Sequence, residues 1–163
     1  MSRLLQQSLK LIHRLEDGLL VGFLLTMICL AFTQIVLRNG FETGIVWADA
    51  LLRILVMWIA LLGAMVATRE RQHINVDVIT RFLSKRMRRI AHTASAAFAC
   101  AVCAVLAIYT FSFVQMEYES PSMAFAQVPT WACESIMPIS FAIMSLRYGI
   151  FSLQDALGYQ GKI

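Results

Sequence analysis

Four stretches of this chain are long and apolar enough to cross a lipid bilayer, and they limit the possible folds more than any other feature. They cover about residues 18–37, 46–67, 90–114 and 131–153. A bilayer core of about 30 Å requires about 20 helical residues. Backbone that faces lipid must satisfy its own hydrogen bonds, which favours helices for these stretches. We predict an all-α integral membrane protein with four transmembrane helices, forming a single membrane domain over residues 1–163.

The composition supports a membrane protein over a soluble one. Hydrophobic residues make up 59% of the chain and charged residues 15%, against about 45–50% and about 25% in soluble domains. The net charge of +4 could suggest nucleic-acid binding, but the basic residues lie between the apolar stretches. The positive-inside rule accounts for that distribution. We therefore expect membrane lipids as partners and no nucleic acid.

The distribution of Lys and Arg predicts the orientation. Eleven of them fall in the N-terminal tail, in the segment 68–89 and in the C-terminal tail, and one falls in the other two connections. Cytoplasmic segments of membrane proteins carry the excess of positive charge. We predict that both termini and the middle loop are cytoplasmic, with Arg69, His73 and Asp77 at the cytoplasmic interface.

The middle loop contains an amphipathic pattern. Its two faces comprise Ile74, Val78, Ile79, Phe82, Leu83 and Met87 on one side and Asp77, Arg81, Lys85 and Arg88 on the other. The spacing predicts a short helix between spans two and three that lies on the cytoplasmic headgroups, where cations meet anionic lipid. A helix that binds a cytosolic partner would show the same pattern.

Asp49 and Arg53 are charged residues inside the second apolar stretch. They are four residues apart, so one helix face carries both and they can form an ion pair. A cation within the bilayer needs a compensating neighbour. The pair could line a substrate or ion path, or it could hold helices or subunits together. We favour packing or assembly, because the other spans offer few acidic residues.

Small residues suggest close contacts between helices. Gly18 and Gly22, Ala60 and Ala64, and Gly63 and Ala67 each have the four-residue spacing that lets helix backbones approach.

Cysteine and histidine positions argue against redox or haem chemistry. Cys100 and Cys103 lie in the middle of the third stretch, where thiolates are disfavoured and cysteine acts as a small apolar residue. His13 and His92 lie at the ends of spans, and paired axial ligands for haem are lacking. We expect no cofactor, no metal and no catalytic centre.

An ordered set of residues resembles the small membrane subunit of TRAP (tripartite ATP-independent periplasmic) transporters. The set consists of Gln34-Ile-Val-Leu-Arg38-Asn39, Trp47-x-Asp49-x-x-x-Arg53, Trp58, Gly63, Ala67, Arg69, His73-Ile74-x-Val76-Asp77, Pro129-x-Trp131 and Pro138. One departure is visible, because Ala48 stands where the family usually has a first acidic residue before Asp49.

The resemblance implies a location in the bacterial inner membrane and a non-catalytic scaffold role. It implies two protein partners: a large membrane subunit on a separate chain, which carries the substrate and sodium sites, and a periplasmic protein that delivers an organic acid. It also makes Arg38 a candidate for docking that periplasmic protein, although Arg38 could equally bind lipid phosphate. Trp47 and Gly63 join Asp49 and Arg53 as expected packing or assembly residues. The alternative is a self-contained, oligomeric small transporter or channel.

Overall fold

The computed structural model describes residues 3–69, 85–125 and 128–157. Its elements, in chain order, are α1 (Arg3–Phe41), α2 (Ala48–Arg69), α3 (Lys85–Glu119), β1 (Met123–Phe125), β2 (Val128–Pro129), α4 (Thr130–Glu134) and α5 (Ile136–Leu157). Four helical segments of the described chain are long and apolar enough to span a membrane: His13–Phe41, Ala48–Arg69, Ile90–Glu119 and Thr130–Leu157. The prediction of an all-α protein with four membrane-spanning helices is confirmed.

The long helices form a row rather than a closed bundle. α2 packs against α1 on one side and against α5 on the other, and α3 packs along α5. Hydrogen bonds join α5 to α3: the Ser145 hydroxyl donates to the Cys100 carbonyl at 3.1 Å, and the Ser152 hydroxyl donates to the Thr93 carbonyl at 3.5 Å. The row therefore runs α1, α2, α5, α3, with α3 at its edge.

The buried core lies between α2 and α5. It is formed by Leu62, Met65, Ile136 and Met144, with half-buried apolar side chains of α1 packed around them. Many other large apolar side chains are exposed, such as Phe98 at 73% on α3. Because lipid is as apolar as these side chains, a membrane helix loses little by leaving them outside the core.

The fourth span consists of two helical pieces instead of the single predicted helix. α4 ends at Glu134, Ser135 forms a turn, and α5 begins at Ile136. Pro138 has no N–H to donate to the carbonyl of Glu134, so one hydrogen bond of a continuous helix cannot form there. The Ser135 hydroxyl donates to the carbonyl of Ala132 at 2.8 Å.

The row has two ends, which we name after one residue each. The Asp49 end holds the connection between α1 and α2, together with the antiparallel β1–β2 pair and α4. The Glu16 end holds the last residue of α2 and the last turns of α5. The start of α1 and the end of α5 lie at this same end, as an even number of spans requires. The side of the membrane that it faces stays a prediction.

The predicted amphipathic helix of the middle loop falls largely outside the described residues. The structure resumes with Lys85 at the start of α3, and Met87 is exposed there.

Candidate functional site

The connection between α1 and α2 is held by the side chain of Gln34. Its Oε1 accepts from the Ile45 amide at 3.1 Å, and its Nε2 donates to the Ile45 carbonyl at 3.2 Å and to Oδ1 of Asp49 at 3.4 Å. Gln34 is 6% exposed. Buried amides need such partners, since an unsatisfied one costs about 1–3 kcal/mol. Gln34 thereby fixes both the connecting segment and the first turn of α2.

Asp49 pairs with Arg38 of α1 across the two helices. Nη2 of Arg38 lies 3.8 Å from Oδ2 of Asp49, and the side chains are 68% and 49% exposed. Among the residues with described side chains, no carboxylate oxygen lies within 4.0 Å of the Arg53 guanidinium. The expected ion pair of Asp49 with Arg53 is therefore absent from the described structure. Arg38 and Asp49 are brought together because α1 and α2 are antiparallel neighbours, which spacing along α2 does not reveal.

Arg53 instead faces an open cleft of about 660 Å³ at the Asp49 end. The cleft lies between α2 and the segment formed by β1 and α4. It is lined by Val46, Asp49, Ala50, Arg53, Ile54, Met57, Ala124, Thr130, Cys133 and Glu134. It thus combines an apolar wall with one cation and two carboxylates.

Glu134 is one of the residues that line this cleft. Its Oε2 is buried and has no hydrogen-bond partner among the described residues. The neighbouring carbonyl of Cys133 accepts from Nε1 of Trp58 at 2.9 Å, and Trp58 also packs edge-on against Phe23 with ring centroids 5.3 Å apart. Trp58 therefore joins α1, α2 and α4 beneath the cleft.

A second charged cluster lies at the Glu16 end. Oε1 of Glu16 accepts from Nη2 of Arg147 at 2.7 Å, and Oε2 lies 3.7 Å from Nη1 of Arg69. Arg69 also reaches Asp17 at 3.0 Å. Arg147 donates further to the Met65 carbonyl at 2.5 Å. Two arginines and two carboxylates balance each other here and link α1, α2 and α5.

The remaining predicted site residues are placed as follows. Trp47 is 42% exposed just before α2, where its carbonyl accepts from the Leu51 amide at 3.1 Å. Gly63 faces α1, since a Cβ there would lie 3.7 Å from Leu20. His73 and Asp77 lie outside the described residues. The packing, assembly and interface roles of all these residues stay predictions.

Four residues of these networks were not among the candidate site residues from the sequence: Glu16, Asp17, Gln34 and Arg147. Glu16 is visible in the sequence as an acid two residues before the first apolar stretch, and its partner Arg147 lies 131 residues further along the chain. Gln34 was visible as a polar residue one helical turn before Arg38. Neither signal indicates a partner by itself.

The cysteines and possible metal ligands complete the inventory. All four cysteines are free, with Cys133 buried and Cys29 exposed. Within the described ranges, no group of three or more His, Cys, Asp or Glu side chains could hold a metal ion.

Comparison with known proteins places this architecture in a family. The family model described as "Tripartite ATP-independent periplasmic transporters, DctQ component" matches residues 27–158. The match includes Gln34, Arg38, Asp49 and Arg53 and most of the four-span layout.

Three relatives are similar over different shares of the chain. A putative TRAP transporter small permease protein of Haemophilus influenzae is 38% identical over 68 residues, which cover 42% of this chain and 42% of that protein. The C4-dicarboxylate TRAP transporter small permease protein DctQ of Pseudomonas aeruginosa is 22% identical, with 83% and 79% covered. The sialic acid TRAP transporter permease protein SiaT of Haemophilus influenzae is 26% identical over 85 residues, which cover 52% of this chain and 14% of that protein. The multi-pass membrane protein described here therefore belongs to the DctQ family of TRAP transporter components.

Proposed function

We propose that this chain is the small, non-catalytic scaffold subunit of a sodium-coupled TRAP transporter for organic acids. It supports a large, elevator-type membrane subunit encoded on a separate chain and helps to dock the periplasmic substrate-binding protein. The names of two relatives refer to a C4-dicarboxylate and to sialic acid, which are both organic acids. We place the complex in the bacterial inner membrane with both termini of this chain in the cytoplasm.

The observation that carries the scaffold role is the position of the hydrogen-bonded and ion-paired side chains, which lie at the two ends of the row. Gln34 and Arg38 both contact Asp49 at one end of the row, and Arg69 and Arg147 both contact Glu16 at the other. Between them, the described core is made of Leu62, Met65, Ile136 and Met144. A solute path needs polar groups near the middle of the membrane, whereas a scaffold needs helices that are fixed to each other.

Arg38 has the properties expected of a docking residue. Its side chain is 68% exposed and its contact with Asp49 is long at 3.8 Å, so the guanidinium can still meet an incoming carboxylate. An exposed cation of this kind accelerates and orients the binding of an acidic surface. Under the predicted orientation, Arg38 lies on the periplasmic side.

Uptake measurements in reconstituted vesicles test the scaffold role, by comparing this chain alone with the complete three-protein system. The purified chain alone, reconstituted in vesicles, should not move an organic acid, while the complex with the large subunit and binding protein should. Transport by the chain alone would instead establish the self-contained transporter.

Docking is tested by Arg38→Glu in the same complex. We expect at least about tenfold weaker binding of the periplasmic protein, equivalent to about 1.4 kcal/mol, with normal amounts of the membrane complex. The matched control is Asp49→Asn, which removes the same ion pair but leaves Arg38 charged. Equal loss in both variants would assign the effect to the ion pair and contradict docking by Arg38.

A further inference from the structure

One face of α2 is left uncovered over the full length of the helix. The exposed residues of α2 are Asp49, Arg53, Val56, Ala60 and Ala67. Their separations of four, three, four and seven residues place them on a single stripe of the helix. The other side of α2 carries the buried contacts to α1 and α5. Below Arg53 the stripe consists of small or β-branched side chains, over which another helix backbone can approach closely.

Arg53 is the charge on this stripe that the described chain leaves unpaired. It lies five residues after the start of α2, or about 7.5 Å along the helix axis. By contrast, three other arginines of the spans each lie within 4.0 Å of a carboxylate oxygen: Arg38, Arg69 and Arg147. A cation within a transmembrane helix usually faces a protein partner that compensates its charge.

The cleft beside Arg53 provides room for such a partner. Its volume of about 660 Å³ accommodates several side chains, and Val46, Ile54 and Met57 offer apolar contacts. The occupant should therefore present a carboxylate to Arg53 beside apolar side chains.

We propose that the large subunit lays a transmembrane helix along this stripe of α2 and places a carboxylate against Arg53. The proposal rests on the proposed function, because it names the surface by which the scaffold holds its partner. Arg53 is then an assembly residue that acts between subunits, rather than a member of a pair within this chain.

Two other occupants fit the surface less well. A second copy of this chain would offer Asp49 at a similar depth, but a two-fold pairing of the same stripe would also bring the two Arg53 side chains near each other. A lipid could offer a phosphate to Arg53, but acyl chains gain nothing particular from the small residues Ala60 and Ala67. Small residues are characteristic of seams between helices.

The first test introduces benzoylphenylalanine in place of Ala60 in the co-expressed complex and irradiates intact membranes. We expect a cross-link to the large subunit that is absent without irradiation. Cross-links to a second copy of this chain, or none to protein, would overturn the proposal. Because wild-type co-purification is scored in parallel, a chain that never purifies with the large subunit would refute the proposed function itself.

The second test measures how much large subunit is retained in mild detergent. Arg53→Glu should reduce the retained amount at least about tenfold, as expected for a desolvated ion pair across an interface, while Arg53→Lys should keep most of it. The matched control is Arg14→Glu, another exposed arginine of the chain. A correctly folded Arg53→Glu chain, judged by circular dichroism and elution volume, that retains the large subunit at the wild-type level would overturn the proposal. So would loss of bound phospholipid in native mass spectrometry without loss of the subunit.

Discussion

Glu16 of α1 and Arg147 of α5 form an ion pair with 2.7 Å between Oε1 and Nη2, although α2 lies between the two helices in the row. The pair passes beside the end of α2, where Arg147 also binds the Met65 carbonyl and Arg69 approaches the same carboxylate. The side chains of Glu16 and Arg147 are 11% and 19% exposed. Three helices are thus joined by one buried carboxylate.

Removal of that carboxylate should destabilise the chain. Glu16→Ala removes the carboxylate that contacts the largely buried guanidinium groups of Arg147 and Arg69, and breaking a buried pair costs about 3–5 kcal/mol. Thermal or denaturant unfolding in detergent measures the change in free energy of unfolding. The control is Asp17→Ala, whose side chain is 50% exposed and whose loss should cost no more than about 1 kcal/mol. Equal effects of the two substitutions would contradict a special role for Glu16.

Gln34 should protect the backbone of the segment between α1 and α2 from hydrogen exchange. Gln34→Leu keeps the apolar packing but leaves the Ile45 amide and carbonyl without partners, at a cost of about 1–3 kcal/mol. Hydrogen exchange of the Ile45 amide should accelerate in the variant. Thr33→Val is the matched control, because the Thr33 hydroxyl is exposed and bonds within its own helix to the Cys29 carbonyl at 2.8 Å. Unchanged exchange at Ile45 in the Gln34 variant would show that the segment is held by other contacts.

Trp58 should contribute through both packing and one hydrogen bond. Trp58→Phe retains a ring against Phe23 but removes the bond to the Cys133 carbonyl, which should cost about 1 kcal/mol. Trp58→Ala also leaves a cavity and should cost about 3–5 kcal/mol. Both are measured as free energies of unfolding. Identical losses in the two variants would mean that the indole N–H, and not the ring, carries the effect.

Exchange of Asp49 and Arg53 distinguishes the observed ion pair from the one expected within α2. A pair between these two residues would tolerate the exchange, since both charges stay on one helix face. In the structure the exchange places an arginine opposite Arg38 and Gln34. We therefore expect the double variant to be less stable than either single alanine variant, by thermal unfolding in detergent. Recovery of wild-type stability in the double variant would contradict the Arg38–Asp49 assignment.

The span pattern could be read from the sequence because it depends on local properties. An apolar stretch of about 20 residues must form a helix in lipid, whatever its neighbours are. The exact ends were less predictable, since Pro138 divides the fourth span at Ser135 and α1 extends to Phe41. Such ends depend on which backbone groups find a partner, and that is decided residue by residue.

The sequence did not predict which residues the charged side chains pair with. Spacing along α2 suggested Asp49 with Arg53, while the structure joins Asp49 to Arg38 and brings Arg147 to Glu16. Each observed partner lies on a different helix, so it follows from the order of helices in the row.

The sequence by itself therefore determined the class of protein, the number of spans and the family resemblance, because hydrophobicity and motif order are properties of the chain. Only the tertiary structure decided which charges neutralise one another and which stripe of α2 is uncovered. The physical reason is that a buried charge is stabilised by groups within a few ångströms in space, at any distance along the chain.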